Sequence, residues 1–167
     1  TTEIYTLSLH DALPIYETWL NWRPFAGARL TASYGYTDAT FDEFVPEPGE
    51  DYAGNRISRT PKHKVVLSPS YEAALGDGSS LLFAADYRYE SMIFDDNSND
   101  GPERRSPTHF VDGRIVFTPA AGQWTLSLWG KNLTQEVTRT HQTVFLGANF
   151  GSYSPPRTFG ATVSWRM

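Results

Sequence analysis

The 167-residue sequence has no cysteine. Disulfide frameworks and thiolate metal centres are therefore excluded. It also has no apolar run near the roughly 20 residues that a membrane-spanning helix needs. Its mean hydropathy, −0.43, is too polar for a helical membrane bundle. Positive charge is scarce: 14 Lys and Arg stand against 19 Asp and Glu, with no basic run. That balance argues against a nucleic-acid partner. No Gly-rich phosphate loop leads into a helical pattern. The first fifteen residues contain no Lys or Arg and no apolar core, so they do not read as a secretory signal. The histidines His63, His109 and His141 each stand without a second ligand at i+2 or i+4, and His10 lies in the opening segment. Neither a metal site nor a cofactor is expected from them. No Ser-His-Asp spacing suggests catalysis, so no catalytic residue is assigned.

Aromatics are 14% of the chain, with 13 Gly and 11 Pro, a composition of strands and turns. The dominant pattern is period-2 alternation. Leu30, Ala32, Tyr34 and Tyr36 share a face against Arg29, Thr31, Ser33 and Gly35. Leu81, Phe83, Ala85, Tyr87, Tyr89 and Ile93 oppose Leu82, Ala84, Asp86, Arg88 and Glu90. Val111, Ile115 and Phe117 oppose Asp112, Arg114 and Thr118, and Trp124, Leu126 and Leu128 oppose Thr125, Ser127 and Lys131. The last segment sets Phe159, Ala161, Val163, Trp165 and Met167 against Thr158, Gly160, Thr162, Ser164 and Arg166. The pattern predicts seven long strands, near 16–24, 28–44, 61–75, 79–94, 107–119, 123–143 and 157–167.

Tight turns at Pro24–Gly27, Gly76–Gly78 and Ala120–Gly122 alternate with long polar loops near 45–60, 95–106 and 146–156. Short turns at one end and long loops at the other are the organisation of an outer-membrane barrel. The expected fold is all-β, an antiparallel up-and-down meander. A soluble β-sandwich is the alternative; strand length and loop asymmetry favour the barrel. Backbone groups in hydrocarbon must pair within the protein, so such a meander needs further strands to close. Trp19, Trp22, Phe25, Trp124 and Trp165 are expected at the periplasmic edge, and Tyr36, Phe41, Tyr89 and Phe94 at the outer edge.

Residues 1–15, TTEIYTLSLHDALPI, do not share this character. One reading frame of the universal adapter used in short-read DNA sequencing resembles this peptide residue for residue. The segment is therefore read as non-native, with the native chain beginning near Tyr16 and its upstream part missing.

Four stretches in order resemble the C-terminal barrel of TonB-dependent outer-membrane receptors. They are RPFAGARLTASYGYTDATF from Arg23, GNRISRTPKHKVVLSPSY from Gly54, LWGKNLTQEV from Leu128 and SPPRTFGATVSWRM from Ser154. Two departures stand out: Gln135-Glu136-Val137 where members carry Tyr, and a terminal Met167 where they end in Phe. The resemblance covers residues 16–167. It implies the C-terminal part of a 22-stranded transmembrane barrel that, in the complete protein, encloses an N-terminal plug. It further implies outer-membrane lipid around the barrel, the TonB complex as energy source, and the barrel-assembly machinery reading the last strand. The implied ligand is a small molecule, a ferric siderophore most of all. A porin or a structural or adhesive barrel without a plug is the alternative, and a barrel enzyme a third reading.

The polar set Asp86, Arg88, Glu90, Asp112, Arg114 and Lys131 is expected to face the lumen, as a salt-bridged wall or as contacts for plug or substrate. The loop Asp95–Gly101 matches the first half of an EF-hand at Asp96, Ser98, Asp100 and Gly101. The twelfth position, where a bidentate Glu is needed, is Pro107, so a hydrophilic loop is expected instead. Asn132-Leu133-Thr134 matches a glycosylation sequon, which has no meaning in a bacterial barrel strand.

Overall fold

Alternating side chains stiffen into strands because a pleated chain sends successive residues to opposite faces. The structure, a computed structural model, describes residues 14–101, 104–145 and 148–166. The strands are β1 (Ile15–Trp22), β2 (Ala28–Thr37), β3 (His63–Ala74), β4 (Ser80–Glu90), β5 (Ile93–Phe94), β6 (Arg104–Arg105), β7 (Thr108–Thr118), β8 (Trp124–Lys131), β9 (Arg139–Phe145), β10 (Ala148–Tyr153) and β11 (Thr158–Trp165). One seven-stranded sheet runs in the order β1-β2-β3-β4-β7-β8-β11, every neighbouring pair antiparallel. Each of the seven expected strands supplies one strand of it. Small hairpins β5–β6 and β9–β10 stand apart.

The differences lie at the long-loop end. β2 stops at Thr37 rather than near residue 44, because Asp38 is captured there: its carboxylate accepts from Tyr36 and Lys62, and its N–H donates to the Pro14 carbonyl. β4 stops at Glu90, so Ile93 does not share the face of Leu81 and Phe83; it opens β5 and is buried. The strand expected over 123–143 is two strands. Asn132, at φ +50°, turns the chain out of β8. The loop expected at 146–156 is mostly the second arm of the β9–β10 hairpin. At the same end β1 begins one residue early, at Ile15 opposite Thr37.

The register stacks like upon like. Leu30 lies opposite Trp22 and Pro69, Phe83 opposite Tyr71 and Ile115, and Leu128 opposite Ile115 and Ala161. One face of the sheet is therefore apolar across all seven strands. The other carries Glu17, Thr31, Ser68, Asp86, Asp112, Ser127 and Thr162. Trp19 belongs to this polar face. It pairs with Ser33 at mid-strand, so it does not sit in an edge girdle as expected; its odd spacing from Leu20 and Trp22 is the reason. Trp22, Phe25, Trp124 and Trp165 do lie at the short-turn end, where Trp124 pairs with Trp165 and packs at a tilt 5.7 Å from Phe117. Tyr36 and Tyr89 lie at the long-loop end of the apolar face, whereas Phe41 sits in the loop beyond β2 and Phe94 in the short strand β5, outside the main sheet.

A single-layer sheet has no core of its own. Among the described residues the buried hydrophobic ones are Ala39 and Ile93, both near the long loops. Trp22, Phe83, Leu128 and Val163 on the apolar face stay exposed. A soluble domain would cover that face with a second layer; among the described residues nothing covers it.

The short turns close on Gly27, Gly78 and Gly122, all at positive φ. Gly27 has a second constraint. Its carbonyl accepts from the Glu72 N–H, and a Cβ on it would collide with the Glu72 carbonyl oxygen. That obstacle is backbone, so it cannot swing aside. Gly27→Ala should loosen the β2–β3 register, and folded barrel in detergent, read by heat-modifiable gel mobility, should fall several-fold. Normal folding yield would show that the turn can re-form around a side chain.

Candidate functional site

The long loops do not hang separately. The segment between β2 and β3 is laced to the β5–β6 loop by amide side chains. The Asn97 Oδ1 accepts from the Ser58 N–H at 3.0 Å, and the Asn99 Oδ1 from the Arg56 N–H at 2.8 Å. Asn99 Nδ2 donates back to the Arg56 carbonyl at 2.9 Å, and Asn55 Nδ2 donates to the carbonyls of Asn97 and Ser98. The Arg59 N–H bonds the Phe94 carbonyl at 2.8 Å. Asparagine suits this work: its short amide copies the donor and acceptor of a peptide group and tolerates the left-handed backbone that Asn99 adopts.

Asp95 joins the third element. Its carboxylate is 3% exposed and holds Arg105 Nε at 2.9 Å and Arg139 Nη2 at 3.4 Å. Arg105 Nη1 also donates to the Arg139 carbonyl at 2.6 Å. One buried carboxylate thus ties β5, β6 and the start of β9. Arg104, Arg105, Glu136, Thr138, Arg139 and Tyr153 line a polar cleft of about 250 Å3 beside it.

This lacing accounts for the half EF-hand. Asp96 Oδ1 accepts from the Ser98 N–H at 2.7 Å, an Asx turn, and Ser98 Oγ accepts from the Asp100 N–H. Those oxygens are engaged in shaping the loop. No group of three or more His, Asp or Glu among the described residues is arranged to hold a metal ion. At the loop base, the Lys62 ammonium and then the Tyr36 hydroxyl hold the Asp38 carboxyl below its ordinary pKa. In the loop itself, the Glu50 carboxylate accepting from Tyr52 pushes that phenol up to about 12.

Below the loops, Asp86, Arg88, Glu90, Asp112, Arg114 and Lys131 share the polar face, as the alternation requires. Asp86 faces Asp112 directly, an unfavourable like-charge pair. Neighbours offset it: Ser68 Oγ donates to Asp86 at 2.6 Å, and Arg88 binds Asp112 at 2.9 Å. Glu90 pairs with Lys64 at 3.3 Å. Asp86, Asp112, Arg114 and Lys131 come together around a depression of about 330 Å3; Arg88 and Glu90 lie outside it. Lys131 leans over the Trp129 ring, whose Nε1 donates to Thr162 Oγ1.

One feature is invisible to spacing arguments. The Asp95 hub joins residues 10 and 44 positions away, so no local motif announces it. Asn132, by contrast, sat inside a quoted signature. It is 5% exposed, and its side chain closes the exit of β8. His141 lies in β9; His10 lies outside the described residues.

A family model described as "TonB dependent receptor-like, beta-barrel" matches residues 6–133. No curated protein matches the chain. Among solved structures, the ferric yersiniabactin uptake receptor FyuA from Yersinia pestis superposes with a TM-score of 0.74 at 16% identity, over 88% of this chain and 22% of its own. BauA, the ferric preacinetobactin receptor from Acinetobacter baumannii, superposes at 0.72 and 15% identity, over 89% of this chain and 21% of its own. The chain thus spans about a fifth of the length of either receptor.

Proposed function

The chain belongs to the TonB-dependent receptor family, and from that premise we propose that it forms the C-terminal part of a 22-stranded barrel serving active uptake of a scarce nutrient, a ferric siderophore, across the outer membrane. The observation that carries this reading is the division of one sheet between two solvents, capped by joined loops. The apolar face suits lipid, the charged face suits a wet lumen, and the laced loops stand over the strand ends where a ligand arrives from outside. β1 and β11 each have one neighbour in the sheet. A membrane sheet must close, so both edges call for strands supplied by the rest of the barrel.

Transport belongs to the complete receptor. There a plug would fill the lumen and rest on the wall of Asp86, Arg88, Glu90, Asp112, Arg114 and Lys131, and the TonB complex would deliver energy from the inner membrane. The barrel-assembly machinery would read β11. No catalytic residue takes part. Residues 1–15 are a non-native segment in this reading. The siderophore assignment takes its support from the ligands named for FyuA and BauA.

The test is uptake of an iron(III)–siderophore complex by cells whose only such receptor is the full-length protein. Uptake should require both the receptor gene and TonB. Uptake that survives loss of TonB would indicate a passive pore and overturn the reading.

A further inference from the structure

The loop-side rim of the apolar face carries one arrangement twice. On β2 and β3, Tyr34 and Tyr36 flank His63. On β4 and β7, Tyr87 and Tyr89 flank His109. In each copy the second Tyr lies directly opposite the His in the ladder, Tyr36 to His63 and Tyr89 to His109. In each, the first Tyr reaches diagonally to the ring: the Tyr34 hydroxyl is 3.0 Å from His63 Nδ1, and the Tyr87 hydroxyl 2.9 Å from His109 Nδ1. Ring separations repeat as well, 6.1 Å to the first Tyr in both copies, and 5.3 and 4.9 Å to the second. Each pair of Tyr ends one residue before its strand does, so both copies sit at the same rim.

We infer that these two Tyr-Tyr-His units form a docking surface for the phosphorylated headgroups of the glycolipid in the outer leaflet. The inference rests on the outer-membrane reading above. Tyrosine belongs at a membrane rim, because its ring prefers the apolar side and its hydroxyl the wet side. An imidazole on a lipid-facing surface needs a further reason. In the tautomer in which the Tyr hydroxyl donates to Nδ1, the ring proton is on Nε2, and that N–H is a donor at the headgroup level. Each His ring is stacked on its first Tyr and packed at a tilt against the second, so little side-chain freedom is lost when a phosphate oxygen accepts from it. The two histidines lie two strands apart and two residues out of step, ~10 Å across and ~7 Å along the strands. That separation suits a headgroup with more than one phosphate better than a single anion. The surface is continuous with the apolar face, where acyl chains of the same molecule would lie along Leu67 and Val111.

The test compares the full-length receptor with His63→Ala/His109→Ala and with Tyr34→Phe/Tyr87→Phe, which keeps every ring. Each is purified in detergent, washed, and transferred to nanodiscs of phosphatidylcholine doped with lipopolysaccharide or its dephosphorylated form. The His variant should retain at least five-fold less lipopolysaccharide, and the Phe variant should fall between it and the parent. The dephosphorylated lipid should bind the parent no better than it binds the His variant. Excess inorganic phosphate should leave retention unchanged, because the acyl chains anchor the contact; displacement by phosphate alone would mark a simple anion site and overturn the lipid assignment. Equal retention by parent and both variants would overturn the inference outright. Heat-modifiable mobility and TonB-dependent uptake separate the two claims: their loss in the parent fails the receptor reading, and their persistence with unchanged lipid retention fails only this one.

Discussion

Asp95→Ala should release the joined loops while leaving the seven-stranded sheet intact. The carboxylate is 3% exposed and faces two guanidinium groups, so its removal takes the shared anion from two part-buried positive charges. Breaking one side of a buried ion pair costs about 3–5 kcal/mol. Exposed pairs such as Lys64–Glu90 contribute about 1 kcal/mol or less and make a control. Local opening of residues 91–105 and of the β9–β10 hairpin should therefore rise by at least ~100-fold, read by amide exchange, while exchange in β3 and β4 is unchanged. Asp95→Asn, which keeps shape and one acceptor, should fall between. Pairing Asp95→Leu with Arg105→Met should recover part of the loss, since an apolar replacement of the Asp95–Arg105 pair removes the nearer of the two cations along with the anion. Unchanged exchange in Asp95→Ala would mean that the asparagine lacing alone holds the loops. If the loops receive ligand as one body, affinity for the iron complex should fall with loop protection across this series.

How far the sequence reveals this protein depends on where along the strand one looks. Inside the sheet, alternation is enforced by two different solvents, so a one-residue slip would turn every side chain to the wrong side. That is why the alternation alone assigns Leu30, Phe83, Ile115 and Leu128 to one face and six charged residues to the other. The tight turns were equally legible, because Gly27, Gly78 and Gly122 are required where φ is positive. Past the rim both faces meet water and the alternation loses its meaning. The pattern from Thr37 to Phe44 still looked like strand, but the capture of Asp38 ended it. The same loss hides the β9–β10 hairpin, whose arms the pattern reads as the end of one strand and a loop. Trp19 misled in another way: aromatic identity suggested a girdle, while its parity placed it on the polar side. The candidate site was least legible, because it is built from long-range pairs. Asp95 finds Arg139 across 44 residues, and Tyr34 finds His63 across 29.

Asn132→Ala should be severely damaging to the C-terminal end of the sheet. The Asn-Leu-Thr signature is a splice between three strands. Asn132 donates its N–H to Asp112 Oδ1 at 2.8 Å, and its Nδ2 to the carbonyls of Glu136 and Pro155 at 2.9 Å each. Its Oδ1 accepts from the Glu136 N–H at 2.8 Å. Leu133 donates its N–H to the Val111 carbonyl at 2.7 Å and fills the pit left by the facing glycines Gly113 and Gly130. Thr134 Oγ1 donates to the His109 carbonyl at 2.7 Å. The motif therefore sews the exit of β8 to β7 and to the entry of β11. Alanine removes the side-chain bonds, and each buried group left unpaired costs about 1–3 kcal/mol. It also leaves a Cβ residue without a compensating side-chain bond at φ +50°, which costs roughly 1 kcal/mol more. A total loss of about 4 kcal/mol should appear as a lower urea midpoint for the detergent-folded barrel and as faster exchange in β11. Asn132→Gly tells the two causes apart. If hydrogen bonds dominate, it should be nearly as unstable as Asn132→Ala; if it matches the parent, the backbone turn alone is what the asparagine provides. Asn132→Asp should be worst, since a carboxylate would face the two carbonyls that the amide now serves. A parent-like midpoint for Asn132→Ala would refute the splice, and the signature would then need an explanation outside the folded barrel.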